Sequence, residues 1–369
     1  MIRWSIKSLL SEGAGVVASC FGVAFAFLLV MFFSAVFSGE SERIVAYPTQ
    51  VNADVWVMQK GVANMHMAMS QLWDWKQDRI NTIEGVKETE SILYLNAVIH
   101  AGDRDWFTYI VGLTGSTTFS GPWSMHSGKP IPARSEAVIP DMLSRLTGLK
   151  IGDRIKIVDK YFTIAGLSSG TFSMANSIVF VSYDDLADIM SAGSTVSYVM
   201  VRANEGVSAE KLASRILNQL EKVNALPQKQ FIANDHHMAM QMGVEIISMM
   251  TVIGSTLALI IVAFTSYVFI ARKKRDLAIA KAIGFANQQI YMSVLIQSLT
   301  LTFSGLVLSA VFSLLLFPLI SVAAPEVFLK VTASSIIEMA IPALIVAAIA
   351  ALWSARQVAS VDPVSVFHE

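Results

Sequence analysis

Cysteine, charge and hydrolytic signatures are all scarce in this chain. One cysteine, Cys20, stands among 369 residues. No disulfide can therefore close within the chain, and cysteine usage does not reveal the compartment. Charged residues make up 15% of the sequence and the net charge is −1, which removes the basic footprint that a nucleic-acid partner requires. His236-His237 lacks the Glu-x-x-His spacing of a zinc hydrolase, so that chemistry is not supported. The one Gly-Lys pair, Gly128-Lys129, is followed by Pro130 where a phosphate-binding loop needs Ser or Thr. The chain has no nucleotide site of its own by this criterion, and no cofactor is expected to bind it.

What is present is apolar. Hydrophobic residues reach 54% and mean hydropathy is +0.56, too high for an ordinary soluble domain. Four charge-poor runs lie at 13–39, 246–271, within 282–325 and at 336–355, each long enough to cross a bilayer core as about 20 residues of helix. The first run exceeds the roughly 7–15 apolar residues of a cleavable leader, so it reads as an anchor. A polar block separates run 1 from runs 2 to 4. The expected fold class is an α-helical membrane protein with four transmembrane helices, one before and three after a large extracytoplasmic α/β domain. Segments are expected at 1–12 (amphipathic, cytoplasmic), 13–39 (helix 1), 40–243 (outer domain), 244–271 (helix 2), 272–285 (cytoplasmic loop), 286–320 (helix 3), 321–335 (external loop), 336–355 (helix 4) and 356–369 (cytoplasmic tail).

Basic residues set the expected orientation. Arg3 and Lys7 precede helix 1, and Arg272, Lys273, Lys274, Arg275 and Lys281 follow helix 2. Arg356 follows helix 4, whereas the loop between helices 3 and 4 holds Lys330 with Glu326 nearby. The positive-inside rule places both termini and the 272–285 loop in the cytoplasm. No Asp, Glu, Lys, Arg or His lies at the middle of a run, which counts against an ion-coupled carrier and, less strongly, against a polar path through the bundle. Small residues recur every four positions: Ala14, Ala18, Gly22 and Ala26 in helix 1, Gly305, Ser309 and Ser313 in helix 3, and Ala343, Ala347, Ala351 and Ala355 in helix 4. Such stripes permit close helix packing. A bundle of four helices also favours pairing with a second membrane chain, as homodimer or heterodimer.

In the outer domain, strand-like alternation occurs at 51–57, 154–158, 161–164, 177–181 and 198–201. A helix is expected over 208–223, with Ser208 as its N-cap and Leu212, Ile216, Leu220 and Val223 on one face. The Gly-, Pro- and Ser-rich stretch 111–190 reads as a smaller β-rich subdomain.

The 272–285 loop carries the most specific local sequence. Asp276 is suited to cap a short helix, Leu277, Ala280 and Ile283 to share a face, and Gly284 to end it. A short amphipathic helix tied to two membrane helices suits a part that receives force. On residues alone, a basic loop that only fixes topology fits equally well. Arg275-Asp276-Leu277-Ala278-Ile279-Ala280-Lys281-Ala282-Ile283-Gly284 resembles the basic-Glu-Ile-Gly-x-x-(Arg/Lys)-Ala-x-Gly pattern of MacB-, LolC/E- and FtsX-like (type VII) ABC permeases. Asp276 stands where that pattern has Glu, and Ala278 where it has Gly. The tail Asp362-Pro363 with Phe367 resembles the family's closing motif, and Ala137 to Pro140, Gly148 to Asp153 and Phe162 to Gly166 fit its outer domain. Length and tail are closest to the DevC-like branch.

The resemblance implies a MacB-like periplasmic domain and an inner-membrane location. It implies two copies of a separate cytoplasmic ATPase supplying MgATP, pairing most simply with a permease homodimer. Arg275, Asp276, Leu277, Ala280, Lys281, Ile283 and Gly284 would contact the ATPase, and Ala14, Ala18, Gly22 and Ala26 would pack helices or a dimer. A periplasmic adaptor and an outer-membrane channel could join, with membrane lipid around the bundle. Cargo would be hydrophobic or amphipathic and handled outside, by mechanotransmission. An FtsX-like regulator of a cell-wall hydrolase is the alternative within this architecture, and an anchored sensor without ATPase the alternative outside it.

Methionine and histidine cluster twice, at Met65, His66, Met67 and Met69 and at His236, His237, Met238 and Met240, with Met125-His126 as a third case. Thioether and imidazole suit a soft metal or haem, so a metal or haem exporter is a further alternative. Flexible methionine filling of helix faces, or a greasy cargo groove, explains the same pattern.

Overall fold

The computed structural model describes residues 13–66, 69–173, 177–241 and 245–359. Two compact units emerge: residues up to Ser38 together with those from Ile246 onward, and Gly39–Glu245 between them. Helix α1 (Ala14–Ile44) begins in the first unit, and its last residues group with the second.

The outer unit is built on one 10-stranded sheet with helices on both faces. After α2 (Ala46–Gln50) come β1 (Val55–Gln59), β2 (Leu72–Trp73), α3 (Trp75–Asn81) and the long strands β3 (Val86–Ala101) and β4 (Arg104–Leu113). Then follow β5 (Met125–Gly128), β6 (Glu136–Pro140), α4 (Asp141–Thr147), β7 (Arg154–Ile157), β8 (Lys160–Ser168), β9 (Ser177–Ser182) and α5 (Tyr183–Met190). The unit closes with β10 (Thr195–Val196), β11 (Tyr198–Ala203), α6 (Ala209–Gln219), β12 (Val223–Pro227) and α7 (Gln228–Ala239). Sheet order is β12-β1-β11-β3-β4-β9-β6-β8-β5, with β7 paired to β3 and β8, while β2 and β10 form a separate pair. Strand β3 joins the halves: its first part pairs with β11 up to Ile92, and Leu93 to Ala101 pair with β4. The strands of the 111–190 segment, β5 to β9, are thereby hydrogen-bonded into the common sheet.

Alternation sorts the core. Val55 and Val57 of β1 face a layer with Ile80 of α3 and Leu212 and Ile216 of α6. Trp56 and Met58 face the opposite layer, with Tyr47, Tyr94, Tyr109, Phe180, Tyr198 and Phe231. A strand buried on both faces needs apolar residues at every position, which is why Val55 to Met58 reads as a continuous run.

Three sequence expectations are corrected here. The strand expected from residue 51 starts at Val55, because Val51 ends α2 and the Asp54 carboxylate accepts the Ala203 amide at 2.7 Å. The helix expected to reach Val223 stops at Gln219; Leu220 is extended, Lys222 turns with φ 58°, and Val223 starts β12 opposite Gln59. Its N-cap is Ser208, whose hydroxyl accepts from Lys211 N at 3.3 Å. Strands β3 and β4, the longest in the sheet, were not among the expected ones.

The membrane unit adds α8 (Glu245–Arg272), α9 (Lys274–Ala282), α10 (Asn287–Ala323) and α11 (Ala333–Ala359) to α1. Ala14–Ile44, Ser248–Arg272 and Asn287–Ala323 are long and apolar enough to cross a bilayer, and α11 contains a shorter apolar stretch, Ala340–Trp353. Their outward faces carry Phe25, Phe264, Leu314, Val322 and Ile349, all exposed, as lipid requires and water does not favour. Inward, Ala343, Ala347 and Ala351 are buried, and Ser298 Oγ donates to Ser266 Oγ (3.1 Å) and the Ala347 carbonyl (3.2 Å). At Gly305 a methyl group would sit 2.5 Å from Val23 Cγ1. Hydroxyls and missing side chains therefore let the helices approach closely.

Candidate functional site

Helix α9 is held between two membrane helices by very short connections. Only Lys273 separates it from α8; it is buried, and its Nζ lies 4.9 Å from the centre of the Phe269 ring, a cation–π contact. At the other end Gly284 takes φ 104°, Phe285 N donates back to Ala280 O at 3.1 Å, and Ala286 N donates to Gln289 Oε1 at 3.0 Å to start α10. Positive φ is the reason for glycine at 284, since a side chain there would meet nothing within 4 Å.

One face of α9 is buried: Leu277, Ala278 and Ala280. Leu277 belongs to a buried apolar cluster with Phe269 and Ile270 of α8, Ile290, Val294 and Leu301 of α10, and Ala351 of α11. The cluster thus draws together residues of α9 and of three membrane helices. The opposite face presents Arg275, Asp276 and Ile283. Two expectations are corrected. Asp276 is not the N-cap, a position held by Lys273; it lies in the first helical turn, where a carboxylate suits the helix dipole. Ile283 does not share the face of Leu277 and Ala280; it is 74% exposed, because six residues at about 100° each carry it some 120° round from Leu277. Lys281 is half-buried and Gly284 exposed.

The small-residue positions of α1 divide. Ala26 is buried within the unit beside Val30 and Ala258. Ala14 and Ala18 are exposed, and a methyl group at Gly22 would meet nothing within 4 Å.

The methionine and histidine residues do not share one role. Met65 lies in the outer core, His66 is buried beside it, Met69 is exposed, and Met67 lies outside the described residues. His236 Nε2 lies 2.6 Å from Ser41 Oγ, and His237 pairs with Gln241 Nε2 at 3.5 Å on the exposed side of α7. Met238 and Met240 are half-buried. Among the described residues no three of His, Cys, Asp and Glu converge on a point that could hold a metal ion. The two clusters do meet, but through a residue the pattern did not single out. Asp235, fully buried, accepts from Met65 N at 2.7 Å and His66 N at 3.2 Å through Oδ1, which also faces His66 Nδ1 at 2.8 Å. That last pair is close but off the line of a hydrogen bond. A cavity of about 10 Å³, room for about one water, borders Asp235, Tyr94 and Tyr109. Burial, with the neighbouring Tyr109 and Asp235, holds the Tyr94 hydroxyl well above its ordinary pKa, so it stays protonated.

A second carboxylate, Glu90, organises the 118–120 loop. It accepts from Thr118 Oγ1 (2.6 Å), Phe119 N (3.1 Å) and Ser120 N (2.9 Å) as well as Thr118 N. This fixes Phe119 beside Arg202, whose guanidinium lies 4.0 Å from the Phe119 ring centre. They line a recess of about 390 Å³ with Trp123, Gln50 and Asn52, within the size range of small-ligand pockets. Neither Glu90 nor Asp235 has a local sequence signature, because their partners are 28 to 30 and 169 to 170 positions away.

Comparison with known proteins covers both units. The family model described as MacB-like periplasmic core domain matches residues 16–219, and the FtsX-like permease C-terminal model matches 248–363. Among solved structures, the periplasmic region of MacB from Actinobacillus actinomycetemcomitans is similar at 10% identity and a TM-score of 0.39, covering 50% of this chain and 92% of that one. The extracellular domain of the noncanonic ABC-type transporter YknZ from Gram-positive bacteria is similar at 12% identity and a TM-score of 0.36, covering 47% of this chain and 100% of that one. No curated protein matches the chain. With the first family model spanning more than half of the sequence and the second taking up most of the remainder, the chain belongs to the MacB/FtsX-like (type VII) permeases of ABC transporters.

Proposed function

We propose that this permease works by mechanotransmission in an ABC exporter: α9 receives the stroke of a separate cytoplasmic ATPase, and the outer domain moves a hydrophobic or amphipathic cargo outside the bundle. The observation that carries the reading is the two-sided character of α9. Leu277 is clustered with residues of α8, α10 and α11, and Ala280 is buried, while Arg275, Asp276 and Ile283 are exposed. An exposed isoleucine on a basic helix is suited to insert into a partner's apolar groove. In this reading two ATPase copies bind MgATP, and both termini and α9 are cytoplasmic, consistent with the basic residues from Arg272 to Lys281. Two permease copies pair along the open Ala14, Ala18 and Gly22 positions of α1. The uncharged middles of the membrane helices suit a cargo that does not pass through the bundle.

The test is co-purification in mild detergent from the native host, with wild type against Ile283→Asp. Recovery of an ATPase with wild type and at least about a tenfold loss with the variant, roughly 1.4 kcal/mol of binding, is expected. The fold should be untouched, since an exposed substitution shifts stability by about 0.5 kcal/mol or less. Equal recovery with both would sink the coupling role. An ATPase accompanied by a periplasmic adaptor supports export, whereas a cell-wall hydrolase in its place supports the regulator.

A further inference from the structure

Helix α7 precedes membrane helix α8 in the chain and is fastened to the outer domain from Gln228 to Asp235. Gln228 Nε2 donates to Pro48 O (3.1 Å) and Val51 O (3.0 Å). Phe231 stacks on Trp56 with ring centres 4.6 Å apart and planes within 11°. Asn234 Nδ2 donates to Ala63 O at 3.2 Å, and the next residue, Asp235, takes the two amides of Met65 and His66. Neutral groups make all these attachments except one. Asp235 is a fully buried carboxylate, and burying a carboxylate costs far more than burying an amide. Receiving two backbone N–H groups does not need a charge; an asparagine oxygen would serve. A carboxylate also stands 2.8 Å from His66 Nδ1, which it attracts when that nitrogen carries a proton. His66 in turn lies edge-on to Tyr109 at 5.1 Å, and its carbonyl accepts from Asn96 Nδ2 of β3 at 3.4 Å. Strand β3 is the one that joins the two halves of the sheet.

We propose that Asp235 and His66 form an electrostatic clasp through which displacement of α7 is passed to the 63–66 loop and on to β3. Asp235 is then a positioning residue, and the Met-His cluster that suggested a metal is one half of a mechanical joint. The inference rests on the mechanotransmission reading and names where in the outer domain the stroke arrives.

The experiment uses the full chain with its co-purified ATPase in lipid nanodiscs. Amide hydrogen exchange is followed across the outer domain with no nucleotide and with ATP plus vanadate. In wild type, exchange at the Met65 and His66 amides is expected to differ between the two states by at least about 5-fold, the lower end of ordinary coupling. Asp235→Asn keeps an acceptor for both amides but removes the charge, so protection without nucleotide should stay within about 2-fold of wild type while the nucleotide-dependent difference falls below about 2-fold. ATP turnover should also stay within about 2-fold, because α9 is untouched. His66→Gln should reproduce this loss, and it decides the matter if the Asp235 variant does not fold. A nucleotide-dependent difference at 63–66 that survives in the folded variants would reduce Asp235 to a structural cap and overturn the clasp. A wild-type response elsewhere in the outer domain but not at 63–66 would overturn the clasp and leave mechanotransmission standing. No response anywhere in the outer domain would remove mechanotransmission itself.

Discussion

In the outer domain, buried carboxylates are answered by backbone amides. Glu90 gathers three consecutive N–H groups from the 118–120 loop, and Asp235 gathers two from Met65 and His66. Large rings fill the space around them, with Trp56, Tyr94, Tyr198 and Phe231 all fully buried. Among the described residues of the membrane unit, the buried polar groups within the spans include several hydroxyls and the amide of Gln297. Ser266, Ser293, Gln297, Ser298 and Thr302 are buried, as are the small residues Ala343, Ala347 and Ala351, and Gly305 lies close against Val23. The difference follows from solvent. Burying large apolar rings stabilises a domain unfolding into water, whereas helices unfolding into lipid gain only from contact and hydrogen bonding. Removing side-chain atoms should therefore damage the outer domain, and adding them should damage the bundle.

The largest effect is expected at Glu90. Replacing it by alanine leaves the Ser120 amide, and in part those of Thr118 and Phe119, without an acceptor, at a cost of about 2–4 kcal/mol. Glu90→Gln should cost less, since an amide oxygen still accepts. Chemical denaturation followed by tryptophan fluorescence checks this, and near-equal midpoints for wild type and Glu90→Ala would show that the loop is held by other means.

In the bundle the matching test adds one carbon. A methyl group at Gly305 would sit 2.5 Å from Val23 Cγ1 and 2.8 Å from its Cβ, on two helix backbones that cannot separate without losing contacts. Gly305→Ala should cost about 1–3 kcal/mol, seen as a lower midpoint in detergent thermal unfolding. An unchanged midpoint would mean that α1 and α10 are less closely packed than the contact implies.

Alkali should separate the two units more gently. Burial first, and then the charges of Glu90 near Tyr47 and Asp235 near Tyr198, hold these phenols above their ordinary pKa, as burial does for Tyr94. A folded-state pKa raised above that of the unfolded chain means that the unfolded chain loses its proton first. The stabilising contribution is complete below about pH 10 and declines above it by up to about 1.4 kcal/mol per pH unit for each tyrosine. Tyrosinate absorbance should then rise together with loss of outer-domain structure. Titration of these tyrosines near pH 10 with the fold intact would contradict their burial.

The same contrast explains what could be read from the sequence. Membrane helices are continuous apolar runs, so their existence and their order around a polar block were legible. Strands β3 and β4 were not, because Lys87, Glu88, Thr89 and Glu90 interrupt the alternation of β3 with polar residues whose partners lie elsewhere. Glu90 looks like a solvated charge until the 118–120 loop is folded over it, and Asp235 looks like one until the 64–66 turn arrives. The residues 272–285 were legible as a short helix from local signals, but the outward position of Ile283 was not: repeated spacings of three residues drift round the helix, leaving Ile283 some 120° from Leu277.

The smallest expected effect is at Gly22, where the same glycine-to-alanine change as at Gly305 should act in the opposite direction. A methyl group there meets nothing within 4 Å, and alanine is favoured over glycine inside a helix by about 0.5–1 kcal/mol. The thermal midpoint of the isolated chain should therefore stay the same or rise slightly. If two copies pair along Ala14, Ala18 and Gly22, the added carbon falls at the contact between chains, and the dimer fraction in detergent should drop while the fold of each chain is kept. A dimer fraction unaffected by Gly22→Ala and by the bulkier Gly22→Leu would move the pairing surface off this face of α1. Stability and self-association changing in opposite directions would identify Gly22 as a packing residue between chains, just as Gly305 is one within the chain.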